Sequence, residues 1–401
     1  MHSAPRAQRR HGADRAFGIG TAHMLKIMRA CLLMLLGCRL LMGSLPAWGG
    51  TTSATEPTLT LSGDPGGPTL VIQGVLDPDI MHTILVAFHQ RYPAMTLRYI
   101  DVSGRPNRSA TGTARGFTPD LTMSSAMPWQ YLRANNGHAM SLGEHTLPDD
   151  WPVASRWRNE LVGLTAEPLV IVYRREYAQR FGVPRDHATL LQQLRQHRQA
   201  LDGRVVTYDP ACSDTGFTYL AEDARQSVQI WSLVAALGAA HAELTDSTGA
   251  MLEGLLSGRY LVGYNLIGSY AMRLARHHPE LVVQVPEDYA LIMQRLALIP
   301  RNAPHPDHAR RFLHFLTSHE GQKLLAQKTA LGTLRPADKP GNDMNVADHA
   351  AHFIRPGPGL LALVDPLKRS SLLARWQQSF NPSPRNDQRS RKTLCKDPAS
   401  P

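Results

Sequence analysis

Residues 251–271, M-L-E-G-L-L-S-G-R-Y-L-V-G-Y-N-L-I-G-S-Y-A, constrain the fold more than any other stretch. Met251, Leu252, Leu255 and Leu256 recur at helical spacing, and Ser257-Gly258 stops that helix. Tyr260 to Gly263 reads as a short strand, and Tyr264-Asn265 as a polar step at its end. Gly268-Ser269-Tyr270 is a second small turn that opens another helix. A helix feeding a strand that halts on polar residues is how α/β proteins bring side chains to a crevice beyond the carboxyl ends of their strands.

The same grammar recurs along the chain. Thr69 to Ile72 is a buried strand ending at Gly74, and Asp77-Pro78-Asp79 starts a helix with proline in its first turn. Ile80, Ile84, Ala87 and Phe88 carry that helix to Tyr92-Pro93. Met95 to Ile100 is a second strand, and Pro119 to Met123 a third, ending on Ser124-Ser125. Val205 to Tyr208 is a strand that runs into Asp209-Pro210 and a polar turn, Ala211 to Phe217. Leu281 to Val285 is a strand, and Leu291 to Ile299 another apolar run. Ala309, Phe312, Leu313 and Leu316 place one stripe on a core-facing helix over Asp307 to Ser318. Strands alternating with helices predict an α/β fold with mainly parallel sheets.

Composition narrows the class. The chain has 401 residues, 43% of them hydrophobic, which suits one large or two ordinary folded domains. Its net charge of +10 is misleading. Residues 1–47 carry seven Lys/Arg and one acid, and residues 366–401 carry eight Lys/Arg and two acids. The remaining 28 Lys/Arg and 30 Asp/Glu leave residues 48–365 at −2. A nucleic-acid binder would carry its basic stripe on the fold, so that class is set aside.

Lys26 and Arg29 precede an apolar run from Ala30 to Gly37, and small residues follow at Ser44, Ala47, Gly49 and Gly50. That order is the signature of a secretory signal peptide, with Met24 or Met28 as alternative starts, and implies a periplasmic protein. Leu36-Gly37-Cys38 also resembles a lipobox, although apolar residues continue beyond Cys38. Of four cysteines, Cys31 and Cys38 fall in this leader, and Cys212 and Cys395 reveal no disulfide framework. Residues 48–67 read as a linker and 381–401 as a disordered polar tail.

Four strand ends carry small polar groups: Gly74 to Asp77; Ser124 and Ser125; Ser213, Thr215 and Gly216; and Tyr264 and Asn265 with Ser269 and Tyr270. Free N–H groups at helix starts and small hydroxyls suit an anion. Each motif alone reads equally as a plain N-cap; four together predict a ligand-binding cleft. Asp214-Thr215-Gly216 lacks the second carboxylate motif that an aspartic protease needs. G-x-S-x-G, P-loop and H-E-x-x-H motifs are missing. His277, His278, His305, His308, His314 and His319 do not share ligand spacing, so no metal site and no cofactor are read. Arg133 and Arg204 are the candidates for balancing a bound negative charge.

Several segments together resemble a known family. Leu85 to Pro93 resembles its first helix with an aromatic-proline ending. Thr118-Pro119-Asp120-Leu121 with Ser124-Ser125 resembles its third strand and ligand turn. Val205 to Leu220, Ser257 to Asn265, Ala309 to Leu316 and Glu320-Gly321-Gln322 follow in the family's order. The family is that of type II periplasmic solute-binding proteins of the ferric-iron, phosphoglycerate and hexose-phosphate type.

The resemblance covers about residues 68–332. It implies two lobes, 68–167 plus 297–332 and 168–296, with a C-terminal loop and helix over 333–380. Two hinge crossovers are expected, near Thr165–Leu169 and Leu296–Ile299. It implies a monomeric, non-catalytic receptor that closes on a solute and presents it to ABC importer membrane subunits or a sensor kinase. The ferric branch binds iron through two adjacent tyrosines. Here Asn265 follows Tyr264, and Tyr270 stands six residues on. The resemblance therefore implies a small anionic solute, a phosphorylated or carboxylated metabolite. A ferric-ion receptor is the alternative within the fold, and an exported hydrolase or transferase the alternative outside it.

Overall fold

Two β-sheets, each flanked by helices, organise the chain. The computed structural model describes residues 58–102, 118–335 and 350–381. The expected leader, the lipobox at Cys38 and residues 382–401 of the tail lie outside the described residues.

The first sheet begins where a linker was expected. Thr58–Leu61 forms β1, an edge strand antiparallel to β3, so the stretch read as 48–67 ends in ordered structure. Thr60 and Leu61 supply alternating side chains that a Thr/Ser/Gly/Pro count does not register. β2 (Thr69–Gly74) leads through an Asp77 N-cap into α1 (Pro78–Arg91), whose capping carboxylate accepts from the Asp79 N–H at 2.9 Å. β3 (Thr96–Asp101) and β4 (Leu121–Ser124) pair parallel on either side of β2. After α2 (Met127–Asn135) come β5 (Arg156–Trp157) and β6 (Leu161–Gly163).

The chain then leaves for the second sheet. β7 (Glu167–Arg174) is its central strand, followed by α3 (Arg175–Phe181) and α4 (His187–Gln196). β8 (Val205–Tyr208), α5 (Asp214–Gln226) and α6 (Ile230–Ala239) follow. β9 (Glu243–Thr245), α7 (Thr248–Leu256), β10 (Val262–Ile267) and α8 (Gly268–Ala275) complete a strand–helix alternation. β11 (Leu281–Gln284) and β12 (Ala290–Met293) both pair with β7.

A return crossing at Gln294-Arg295 enters β13 (Leu296–Leu298), which inserts between β4 and β6 of the first sheet. α9 (Pro306–Thr317), which packs on β2, and α10 (His319–Leu324) follow. The return crossing lies just before the expected 296–299, of which Leu296–Leu298 is itself strand. The outward crossing occupies residues 164–166.

Beyond residue 350 the chain is back on the second sheet. β14 (Ala351–Phe353), in a stretch read as loop, pairs parallel with β12. α11 (Gly359–Val364) packs on α2, and α12 (Pro366–Phe380) on α6.

The strand orders are β1-β3-β2-β4-β13-β6-β5 and β14-β12-β7-β10-β8-β9, with β11 beside β7. Both sheets are mixed rather than mainly parallel. The crossing strands β7 and β13 run against their neighbours, because each enters from the opposite sheet. Burial of α1 and α9 follows their apolar stripes, and Phe88 meets Phe312 edge-on at 5.0 Å. One core cluster spans both sheets, joining Met127, Tyr131 and Leu298 to Leu169, Val170 and Met293.

The last helix is fitted closely. A Cβ at Gly238 would stand 1.8 Å from the Phe380 carbonyl oxygen, with backbone rather than a yielding side chain in the way. Gly238→Ala should cost about 1–3 kcal/mol through overpacking. The expected readout is a lower urea midpoint with faster proteolysis around α12. An unchanged midpoint would show that α12 docks more loosely than this contact requires.

Candidate functional site

The carboxyl ends of β2, β4, β8 and β10 all lead into helix starts, and the site is built from them upward. Gly74 closes β2. A Cβ there would meet the Met123 carbonyl oxygen at 2.8 Å and the Tyr99 ring at 3.1 Å, so only glycine allows β2 and β4 to approach this closely. The next residues are pinned: Val75 N–H donates to Met123 O at 3.1 Å, and Leu76 N–H to Tyr99 Oη at 2.8 Å. Ser124 and Ser125 close β4 and are buried; Ser124 Oγ accepts from the Ala126 N–H at 3.1 Å. The helix that follows, α2, has no side-chain cap on its first turn.

At the end of β8, Ser213 serves as the N-cap of α5, its Oγ accepting from Gly216 N–H at 3.1 Å. Gly216 packs on Tyr208, where a Cβ would lie 2.5 Å from the tyrosine Cβ. Thr215 is half-buried beside it. Asp214 forms an ion pair with Arg369 of α12 at 3.3 Å. Cys212 in this turn is disulfide-bonded, where the cysteine count had revealed no framework.

β10 differs from the expected strand. It runs to Ile267, and Tyr264 and Asn265 sit inside it rather than at its end. Asn265 adopts a left-handed φ of 64°, forming an irregularity that lets pairing with β7 resume at Leu266. The cause is a buried carboxylate. Asp223 Oδ2 accepts from Tyr264 Oη at 2.9 Å and from Asn265 Nδ2 at 2.6 Å, and Asp223 Oδ1 from Tyr289 Oη at 3.2 Å. His187 stacks on Tyr289 at 4.1 Å. Burial pushes the Asp223 carboxyl above the usual range, against the pull of His187 and of these three donors. Tyr264 and Asn265 line a small cavity within the second lobe, alongside Leu237 and Trp376.

The strand end itself carries Gly268, Ser269 and Tyr270, the start of α8, again with no side-chain cap. Ser269 is fully buried, and its Oγ donates to Glu167 Oε2. Glu167 opens β7, directly after the outward crossing, and also accepts from Thr165 Oγ1 at 2.7 Å. Its counter-ion is Arg295, in the return crossing. Nε lies 2.9 Å from Glu167 Oε1 as an ion-pair contact outside hydrogen-bond alignment, and Nη2 donates to Oε2 at 3.2 Å. Nη1 donates to the Val75 carbonyl at 2.5 Å. Burial opposes the Arg295 charge, but the Glu167 carboxylate outweighs it and holds the guanidinium protonated more firmly than usual. The Tyr270 ring centroid is 5.5 Å from that guanidinium. Arg273, one turn further along α8, bridges to Asp77 of the first lobe at 2.7 Å.

The expected residues thus divide. Gly74, Ser124, Ser269 and Tyr270 gather with Arg295 and Glu167 at the junction of the two sheets. Ser213, Thr215 and Gly216 stand at the neighbouring strand end, and Tyr264 and Asn265 turn into the second lobe. Arg204 is remote from this junction; its Nη2 donates to Gly258 O at 2.9 Å, at the opposite end of β8. Arg133 lies in the last turn of α2, far from that helix's start. Arg295 and Glu167 were missed in the sequence. The signal was present: Gln294-Arg295 is a polar break within an apolar run, and Glu167 stands among apolar residues before Pro168.

Two sheets joined by paired crossings define a two-lobed fold of the periplasmic-binding-protein type. The model of the bacterial extracellular solute-binding protein family matches residues 80–328. The chain belongs to that family.

Its fold is similar to the substrate binding protein of an ABC transporter from Agrobacterium tumefaciens. The two are 30% identical, with 81% of this chain and 98% of that chain covered and a TM-score of 0.72. It is similar, at 16% identity each, to two others. AfuA from Actinobacillus pleuropneumoniae, with fructose-6-phosphate bound, has a TM-score of 0.61 over 79% of this chain and 99% of that one. Iron-bound HitA from Pseudomonas aeruginosa has a TM-score of 0.60 over 78% and 99%. A search of curated proteins returned no match. Proteins of this family are binding proteins rather than enzymes, and serve ABC transporters outside the cytoplasm. Among the described residues no helix is long and apolar enough to cross a membrane.

Proposed function

We propose that this receptor captures a small anionic solute, a phosphorylated or carboxylated metabolite, at the junction of its lobes and delivers it to the membrane subunits of an ABC importer or to a sensor kinase. One observation carries the reading: α8, in the second lobe, begins at a strand end with no side-chain cap, whereas α2, also uncapped, has proline at position 128 and its Met127 and Trp129 N–H groups already donate to Ser125 O and Ala126 O. Helix starts whose N–H groups lack a capping side chain favour negative charge. Buried hydroxyls at Ser124, Ser125 and Ser269 stand next to them. The fructose-6-phosphate bound to AfuA supports a ligand of this class.

A ferric ion is the competing ligand, since HitA is iron-bound. Trivalent iron calls for hard, ionised oxygen donors. At the end of β10 Tyr270 is preceded by Ser269, and inside the strand Tyr264 is followed by Asn265, so neither place offers an adjacent tyrosine pair.

A thermal-shift screen decides between the two. The probes are fructose 6-phosphate, inorganic phosphate, citrate, and Fe(III) as a chelate with the chelator alone as control. A ligand at a hundred times its dissociation constant should stabilise the fold by about 2.7 kcal/mol. A shift with an organic anion and none with Fe(III) is the expected result. A shift with Fe(III) alone would overturn the anion reading.

A further inference from the structure

We infer that Arg295 and Glu167 are positioning residues that set the two ligand-bearing turns, one on each lobe, in register with each other. Four observations carry this. Arg295 lies in the return crossing and Glu167 opens β7 directly after the outward crossing, so their contact ties the two crossings together at one point. Each side chain then reaches a turn on a different lobe. Arg295 Nη1 donates to the carbonyl of Val75, in the turn between β2 and α1. Glu167 accepts from Ser269 Oγ in the first turn of α8. Both side chains are sealed from water, with relative exposures of 1% for Arg295 and 0% for Glu167.

The result is a chain of bonds from the first lobe to the second: Val75 carbonyl, Arg295 guanidinium, Glu167 carboxylate, Ser269 hydroxyl. Thr165 in the outward crossing braces it from both ends. Its hydroxyl donates to Glu167 at 2.7 Å and accepts from the Arg295 backbone N–H at 3.0 Å. A guanidinium can serve Glu167 and Val75 together because its donors form a planar fork. A buried ion pair is weak evidence for stability as such, because desolvating both charges offsets their attraction. A role in geometry explains why two charges occupy a place that apolar side chains could fill.

The inference takes the α8 turn as ligand-bearing, as proposed above, and the turn at 74–77 as one of the strand ends that the sequence marks for the cleft; its test uses no solute, so a failed ligand screen leaves it untouched. Amide hydrogen exchange of the full chain is followed at residues 74–77 and 268–271, with strand interiors 70–72 and 205–207 as references. In the double variant Glu167→Leu/Arg295→Met, which removes both charges and keeps the volume, both turns should exchange faster by about tenfold or more while the references hold. Arg295→Lys keeps the charge but not the fork, so 74–77 should accelerate and 268–271 should not. Unchanged turns in the double variant, acceleration of one turn only, or equal acceleration of turns and references would overturn the inference. So would a lysine variant that leaves residues 74–77 at the rate of the unaltered protein.

Discussion

Arg295→Met alone is expected to cost about 3–5 kcal/mol of folding stability, because it leaves the Glu167 carboxylate buried without its counter-ion. Thr165 and Ser269 would still donate to that carboxylate, but neither carries charge. Adding Glu167→Leu should recover most of the loss, since the pair's attraction and its desolvation penalty disappear together. Urea midpoints of the single and double variants read this directly. A double variant as unstable as the single would show that the guanidinium contributes mainly through Val75. The comparison also separates stability from register: the double variant is expected to be stable and yet to have loose turns.

Asp223→Ala should rank beside it. Three buried donors, the hydroxyls of Tyr264 and Tyr289 and the amide of Asn265, share this one carboxylate. Stranding a buried donor costs about 1–3 kcal/mol. Water entering the adjoining cavity can recover part of that, which leaves a net loss of about 3–5 kcal/mol. Asp223→Asn keeps the shape and should cost far less. It also exposes a pH effect with a definite sign. The folded-state pKa of Asp223 is raised by burial, so the native protein takes up its proton before the unfolded chain does. Stability from this group is therefore gained as pH falls from neutrality through the raised value. Relative to Asp223→Asn, the unaltered protein should become more stable over that window, down to the usual carboxylate range. A constant difference between the two across that window would mean that Asp223 is not desolvated as its burial implies.

The alternation of strands and helices was legible because each unit carries local signals. Asp77-Pro78 caps α1, Tyr92-Pro93 ends it, and Ala309, Phe312, Leu313 and Leu316 mark the buried face of α9. Strand sense was less legible. Nothing local tells β7 or β13 that it enters from another sheet, so the sheets read as mainly parallel when they are mixed. The end of β10 was misplaced for a related reason. Tyr264-Asn265 has the polarity of a strand terminus, but Asp223, 41 and 42 residues upstream in sequence, absorbs that polarity inside the fold. β14 escaped notice because three residues in a stretch rich in Pro, Asp, Gly and His become a strand only when β12 offers an edge. Arg295 and Glu167 were hidden by their surroundings, as charges within apolar runs whose pairing is set by the crossings alone.

The place of β13 in the first sheet governs the order in which this protein can be made. It lies between β4 and β6, yet it is synthesised after the whole of the second sheet's β7 to β12. Until Leu296–Leu298 emerge, β4 has an open edge and the first lobe has no finished core. Pairings so distant in sequence form slowly. A nascent chain of this kind keeps its first lobe unclosed until residue 298 of 401 has been made.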